Sequence, residues 1–433
     1  MKLFAKYYQF LILIVAFLIS CRSADSVKEA RSKEQDVIAT TAEKSLVKEE
    51  LRTGAENFEA YLPLLIDKKV GFVTNQTVIL QYQELIPSVY AADPRKSRDA
   101  EVKIIQVSIV DFLKTKNINI QKIFAPEHGF RGTADAGELI KDGKDIKTGL
   151  PIISLYGDNK KPKPEQLNGI DVLVFDLQDV GARFYTYISS LHYIMEACAE
   201  NNIALIVLDR PNPNITIVDG PILEKEFTSF VGMHQIPLLH GMTIGEYAKM
   251  INGEKWLKNG VSCKLTVVSC LNYNRQMSYS LPTKPSPNLP NDKAINLYAS
   301  LCLFEGTNVS VGRGTEKQFQ IYGSPFLTKT NFSFTPISNF GAKEPVYKDK
   351  ICFGEDLSAV ANVKKLELKW ILKAFQTTTD KSKFFNSFFT KLAGTKKLQQ
   401  QIETGTSETE IRKSWGSGLI AFKKIREKYL IYR

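Results

Sequence analysis

Four histidines, three tryptophans and six cysteines are all that 433 residues supply of the usual metal-binding, stacking and cross-linking side chains. The histidines are His128, His192, His234 and His240, and no two stand four apart, so a histidine-based metal site has no support. Besides Cys21, the cysteines are Cys198, Cys263, Cys270, Cys302 and Cys352, an odd set that cannot form a complete disulfide framework. Cys263 and Cys270 bracket "KLTVVS", which reads as a strand. A strand of that length separates their Cα atoms by roughly 23 Å, whereas a disulfide needs less than about 7 Å. Buried thiols are expected instead. No G-x-G-x-x-G follows the first apolar strand, where "VGFVTNQT" stands, and "GRGTEK" lacks the G-K-[ST] ending of a P-loop. No G-x-S-x-G elbow is present either. Dinucleotide, P-loop and serine-hydrolase chemistry are thereby set aside, and no cofactor or metal is expected.

What the chain has is apolar material and positive charge. It is 43% hydrophobic, with a formal net charge of +11 and a pI near 9.1. The cations are mostly Lys spread along the chain, which reads as solvated surface; no nucleic-acid motif accompanies them. At the start, Lys2 and Lys6 precede "FLILIVAFLIS", about as long as a signal-peptide core and short for a membrane span. It runs into "LISC", so cleavage before Cys21 and lipidation of that cysteine are expected, with residues 1–20 as lipoprotein signal peptide. The mature protein is then lipid-anchored and extracytoplasmic, touching a membrane through its anchor only. Residues 21–56 begin Lys/Glu/Ser/Ala-rich and read as a tether.

From residue 57, apolar runs alternate with helical patterns. "KVGFVTNQ", "IQKIFAPEHG", "LPIISLYG", "GIDVLVFDLQD" and "IALIVLDRPNP" are Val/Ile-rich and almost continuously apolar, as strands buried on both faces are. Between the last two, Ile188, Leu191, Met195 and Ala199 recur at helical spacing. This order predicts a Rossmann-like, doubly wound parallel sheet over 57–270, followed by a smaller α/β (α+β) domain over 271–433. Asn75-Gln76, Glu127-His128, Tyr156, Asp176, Asp179 and Asp209-Arg210 all fall at the C-terminal ends of predicted strands, the edge where open α/β sheets bind ligands. Caps and turns explain one or two of these as well. Thr243-x-x-Glu246 reads as a capping box. Later, "SPNLPND" is a Pro-punctuated loop holding Asn288, and "FEGTNVSVGRG" sets Glu305, Asn308 and Arg313 among glycines. The chain should close on a helix and a strand.

"VTNQT", "APEHGFRG", "FDLQDVGARFYTYISSL", "LDRPNP", "DGPIL", "HGMTIGE", "SPNLPN" and "FEGTNVSVGRGTEKQF" together resemble the exo-β-N-acetylmuramidase family of the NamZ type, over about residues 58–433. The resemblance implies a Rossmann-like domain and a smaller C-terminal domain with the active site in the cleft between them. It implies release of N-acetylmuramic acid from the non-reducing end of peptidoglycan-derived disaccharides or short glycans. The glutamate of the family's P-E-H-G motif, its expected catalytic acid, maps onto Glu127, and the adjacent histidine onto His128. One departure is an insertion of about 25 residues, Val78 to Val102, whose centre reads as an irregular loop on the ligand edge.

Glycoside hydrolysis needs an acid to protonate the leaving oxygen and help on the opposite face. Glu127 suits the first role. Glu305, Asp176 and Asp179 are candidates for the second, as is the 2-acetamido group of the sugar itself. The lactyl carboxylate of the sugar suits a planar guanidinium, and Arg131, Arg183, Arg210 and Arg313 are candidates. Arg313 and Glu305 can instead pair with each other. Asn212, in "LDRPNP", joins Asn75, Gln76, Asn288 and Asn308 as possible polar contacts. A rival is a non-catalytic lipoprotein capturing muropeptides for uptake, which needs the pocket but no acid. An esterase or amidase lacks a nucleophile with a nearby base.

Overall fold

The computed structural model describes residues 50–86, 101–127, 129–131 and 142–433. Cys21, the signal segment and most of the tether lie outside them, as do His128 and the centre of the insertion.

The five predicted buried strands form as β1 (Val70–Val73), β4 (Ile120–Ala125), β6 (Pro151–Ser154), β7 (Val172–Phe175) and β8 (Ala204–Leu208), and "KLTVVS" forms β9 (Lys264–Val268). Between β1 and β4 stand β2 (Ile79–Ile86) and β3 (Glu101–Ser108), and the two-residue β5 (Gly143–Lys144) precedes β6. The main sheet runs β5-β6-β4-β1-β7-β8-β9, all parallel except the edge pair β5/β6. Counted along the chain, its parallel strands stand in the order 3-2-1-4-5-6, the order of dinucleotide-binding sheets, without the glycine fingerprint that binds the dinucleotide. The order reverses between β1 and β7, so the ligand crevice is expected beyond their carboxyl ends. Val70, Phe72 and Val73 of β1 and the whole of β7 are buried, as their unbroken apolar runs require. The helix Tyr187–Glu200 covers one face with Ile188, Leu191 and Met195, all at most 1% exposed.

The flanks of the insertion form a ribbon: β2 and β3 pair antiparallel from Ile79/Ser108 to Ile86/Glu101, separate from the main sheet. Two features differ from the sequence reading. Residues 52–56, expected at the end of the tether, already belong to the folded unit Arg52–Arg433. Arg52 exchanges two backbone hydrogen bonds with Leu271, the Gly54 amide donates to the Asp209 carbonyl at 2.8 Å, and Ala55 is fully buried. The final strand does not form. After the helix Gly416–Glu427, residues 430–433 bond sideways instead. The Ile431 amide donates to Glu246 Oε1 at 2.9 Å, and the Tyr432 hydroxyl donates to Asp209 Oδ2 at 2.6 Å while accepting from the Cys270 amide.

The C-terminal part is α+β: an antiparallel sheet of β10 (Ile321–Ser324), β11 (Ser333–Phe334) and β12 (Cys352–Asp356) with short helices after it. The Thr243/Glu246 capping box forms, and Arg275 adds two bonds to the Glu246 carboxylate. The five described cysteines are free and buried. His192 and His234 bond ring to ring at 2.9 Å, and His234 stacks on Trp256. Burial lowers both pKa values, so the pair is core and neutral.

Candidate active site

Strand β4 ends at Ala125, and Pro126 opens a turn that the Gly129 amide closes on the Pro126 carbonyl at 3.1 Å. Gly129 sits at φ +74, a left-handed conformation that a side chain disfavours, which accounts for the glycine after Glu127-His128. The turn sets Glu127, half-buried, at the mouth of the ligand edge. It lines a cleft of about 430 Å³.

Two parts of the chain build that cleft. From the sheet domain come Glu127 and the segment Phe184–Tyr187 that opens the helix after β7. From the later part come Ser286 and Leu289 of the Pro-rich loop, Tyr298, Arg313 and Phe319. The aromatic rings pack edge to face: Tyr185 on Tyr187 at 4.9 Å, Phe184 on Tyr298 at 5.4 Å, and Tyr298 on Phe319 at 5.0 Å.

The Glu127 carboxylate accepts from the Thr186 hydroxyl at 3.4 Å, and its charge reaches the Tyr156 phenol. Burial, and then the Glu127 charge, push the Tyr156 phenol well above its ordinary value, so it stays a donor. Tyr187 is raised by the same two causes. Its hydroxyl accepts from Asn75 Nδ2 at 2.5 Å, while Asn75 Oδ1 accepts from the Thr77 amide and hydroxyl. Asn75 thus acts behind the cleft wall.

Arg313 is the arginine of the four candidates that lines the cleft. Its Nε donates to Glu305 Oε1 at 2.8 Å, and its guanidinium lies over the Phe319 ring at 5.1 Å. Burial pulls its pKa down, but the Glu305 carboxylate outweighs that and raises it. Glu305 is engaged on both oxygens, by Arg313 and by the Cys302 thiol, and is not itself in the lining. Arg313 therefore lines the cleft while paired with Glu305, which stands outside the lining.

The other arginines are committed elsewhere. Arg210 is clamped bidentate on Asp176, with Nη2 3.0 Å from Oδ2 and Nε on Oδ1, both residues at most 2% exposed. The two charges neutralise each other below the cleft, which removes Asp176 from the lining carboxylates. Arg131 is bidentate on Asp145 at 2.9 and 2.8 Å. Arg183, fully buried, has no carboxylate partner among the described residues: its two terminal nitrogens donate to the carbonyls of Pro221, Ile236, Leu392 and Ala393 at 2.7–3.0 Å. Burial lowers its pKa to about 9, still cationic at neutral pH.

Several polar candidates are scaffold. Asp209 takes the amides of Arg210 and Gly245 on one oxygen and the hydroxyls of Thr243 and Tyr432 on the other, capping the helix Ile244–Gly253. Asn212 holds the Met242 carbonyl at 2.9 Å. Asn288 holds the Gly341 carbonyl at 2.7 Å. Asp179 accepts the Gly181 amide at 2.7 Å. Among the described residues, Asp179 Oδ1, Gln76 Oε1, Asn288 Oδ1 and Asn308 Oδ1 are buried without a hydrogen-bond partner. Sequence reasoning missed Ser286, Leu289, Tyr298, Phe319 and Thr186; the "SPNLPN" motif pointed to the right loop but not to its inward residues.

Comparison with known proteins gives the family. Family models for the N-terminal and C-terminal parts of exo-β-N-acetylmuramidase NamZ match residues 97–293 and 296–432. The chain is 42% identical over 347 residues to the peptidoglycan β-N-acetylmuramidase NamZ of Bacillus subtilis, covering 75% of this chain and 83% of that protein. Two crystal structures of DUF1343 family proteins from Bacteroides fragilis share the fold. One is 41% identical with TM-score 0.77 over 89% of this chain, the other 28% identical with TM-score 0.69 over 88%, and each is covered to 99%. The chain belongs to the exo-β-N-acetylmuramidase NamZ family of glycoside hydrolases.

Proposed function

We propose that the chain releases N-acetylmuramic acid from the non-reducing end of peptidoglycan fragments, with Glu127 as general acid. The observation that carries this reading is the cleft itself: a half-buried carboxylate at a strand end, held by the Thr186 hydroxyl and sharing the lining with an arginine. Protonated Glu127 delivers its proton to the glycosidic oxygen as the anomeric C–O bond breaks. Thr186 fixes the carboxyl through a bond that survives the proton's departure. Glu127 is the one carboxylate of the described lining. That favours the sugar's own 2-acetamido oxygen as the group that attacks the anomeric carbon. Arg313, whose Nε is taken by Glu305, turns its terminal nitrogens to the lactyl carboxylate.

A chromogenic β-N-acetylmuraminide and the matching glucosaminide test the reading. Cleavage of the muraminide alone is expected; cleavage of neither, or of both equally, overturns it. Arg313→Lys keeps the charge and loses the planar fork. It should raise KM for muramic-acid substrates about tenfold with kcat little changed, the pattern of a contact made equally in ground and transition states. A pure fall in Tm with unchanged kinetics would leave Arg313 structural.

The reading extends to location: acylation of Cys21, after "LISC", anchors the enzyme outside the cytoplasm. Wild-type protein should partition into detergent and Cys21→Ser into the aqueous phase. A variant that partitions like wild type, with unchanged mass, would refute the anchor.

A further inference from the structure

A second cavity of about 710 Å³ shares no lining residue with the catalytic cleft. One wall is Ile222, within the "DGPIL" motif, and Glu224, just after it; the other is Lys397 and Leu398 on one helix, with Ser414 and Trp415 leading into another. Apolar and hydrogen-bonding groups thus share the lining. The hydroxyl of Thr395 donates to Glu224 at 2.8 Å, so the wall's one acid is already engaged. Gln401 donates to the Ser414 hydroxyl at 3.4 Å, and its own Oε1 is buried with no hydrogen-bond partner among the described residues.

The second observation is charge. The charge is unevenly divided along the sequence. Residues 271–433 carry 25 Lys+Arg against 13 Asp+Glu, whereas residues 1–270 carry 32 against 33. The whole excess of the chain therefore lies in the part that supplies the longer wall. At that wall Lys397 lines the cavity, Lys396 precedes it and Lys413 adjoins Ser414, all three exposed.

We infer that this groove is a second glycan-binding site, taking an acidic stretch of the polymer whose end the catalytic cleft processes. The polymer's identity rests on the proposed activity; the groove and its charge do not. Carboxylates of lactyl groups or stem peptides answer the lysines, while sugar C–H faces and peptide methyl groups answer the half-buried Ile222. A concave groove lined with hydroxyl and amide groups suits a strand better than the flat face of an anionic bilayer. A site that holds the polymer away from the cleft raises the local concentration of chain ends without entering the chemistry.

The test is co-sedimentation of the intact protein with purified peptidoglycan sacculi and, separately, with phosphatidylglycerol vesicles. Glu127→Gln serves as background so that glycan is not consumed. Adding Lys396→Glu, Lys397→Glu and Lys413→Glu together should weaken sacculus binding by about tenfold or more at low salt. In the Glu127 enzyme, the same three changes should leave kcat/KM on the chromogenic muraminide unchanged. Gly418→Leu, which fills the groove without altering charge, should also weaken binding. Undiminished sacculus binding by both variants, or a loss confined to the vesicles, overturns the proposal. An inactive wild type on the muraminide overturns the proposed activity instead, and leaves the sedimentation result to be read on its own.

Discussion

Glu127→Gln should leave the fold and ligand binding intact and lower kcat on the natural disaccharide by at least about 100-fold, the usual scale for loss of a general acid. The structure makes the substitution clean. Glu127 accepts from Thr186, and a glutamine oxygen can accept the same bond. What disappears is the proton. An aryl leaving group needs less protonation, so the aryl muraminide should suffer a smaller loss than the disaccharide. That difference separates a general acid from a residue that merely shapes the turn, for which both substrates would fall together. Activity near wild type on the disaccharide, with Tm unchanged, would remove Glu127 from the chemistry.

Arg183→Met should be among the most destabilising single changes in the chain, costing about 4 kcal/mol of unfolding free energy in urea titration. A guanidinium buried without a counter-ion is tolerable only because four carbonyls surround it. Methionine fills much of the volume and leaves all four acceptors dry. Arg183→Lys should recover only part of the loss, since a single ammonium cannot span carbonyls that two nitrogens now reach. Two of those carbonyls, Leu392 and Ala393, lie 209 and 210 residues away, and Phe184 beside Arg183 lines the cleft. The variant should therefore lose activity in parallel with the folded fraction. A loss under about 1 kcal/mol would mean the carbonyls find other partners.

The sheet was legible in the sequence because its strands are buried on both faces and must be apolar along their whole length. Val172–Phe175 and Ala204–Leu208 admit no polar residue. The ligand edge was legible for the same reason, since polar residues return where the apolar runs stop. Their division of labour was not. Asp176 and Arg210 end adjacent strands 34 residues apart, and only the register of β7 against β8 brings them into contact. Sequence spacing carries no such register, so a pair that cancels its own charge looked like two groups awaiting a ligand. Arg183 was opaque for a related reason: its partners are backbone carbonyls, which every residue owns. Glu127 was readable because proline and glycine frame it and make the turn explicit. Tyr298 and Phe319 were hidden because an aromatic that lines a cleft and one that fills a core follow the same pattern.

Tyr432 bears on how the molecule comes into being. A ribosome delivers the sheet first, yet the Asp209 carboxylate that caps a helix of that sheet receives one of its donors from a residue 223 positions later. Arg183 likewise waits for Leu392 and Ala393. Until those residues emerge, the sheet holds a buried cation and a buried anion that are both under-solvated, so its most stable arrangement is postponed to the end of synthesis. Contacts of such long sequence separation slow folding and keep apolar surface exposed meanwhile. The parts matched by the two family models, 97–293 and 296–432, are therefore poor candidates for separate expression: the first holds Arg183 and Asp209, and the second holds the residues that complete their bonding.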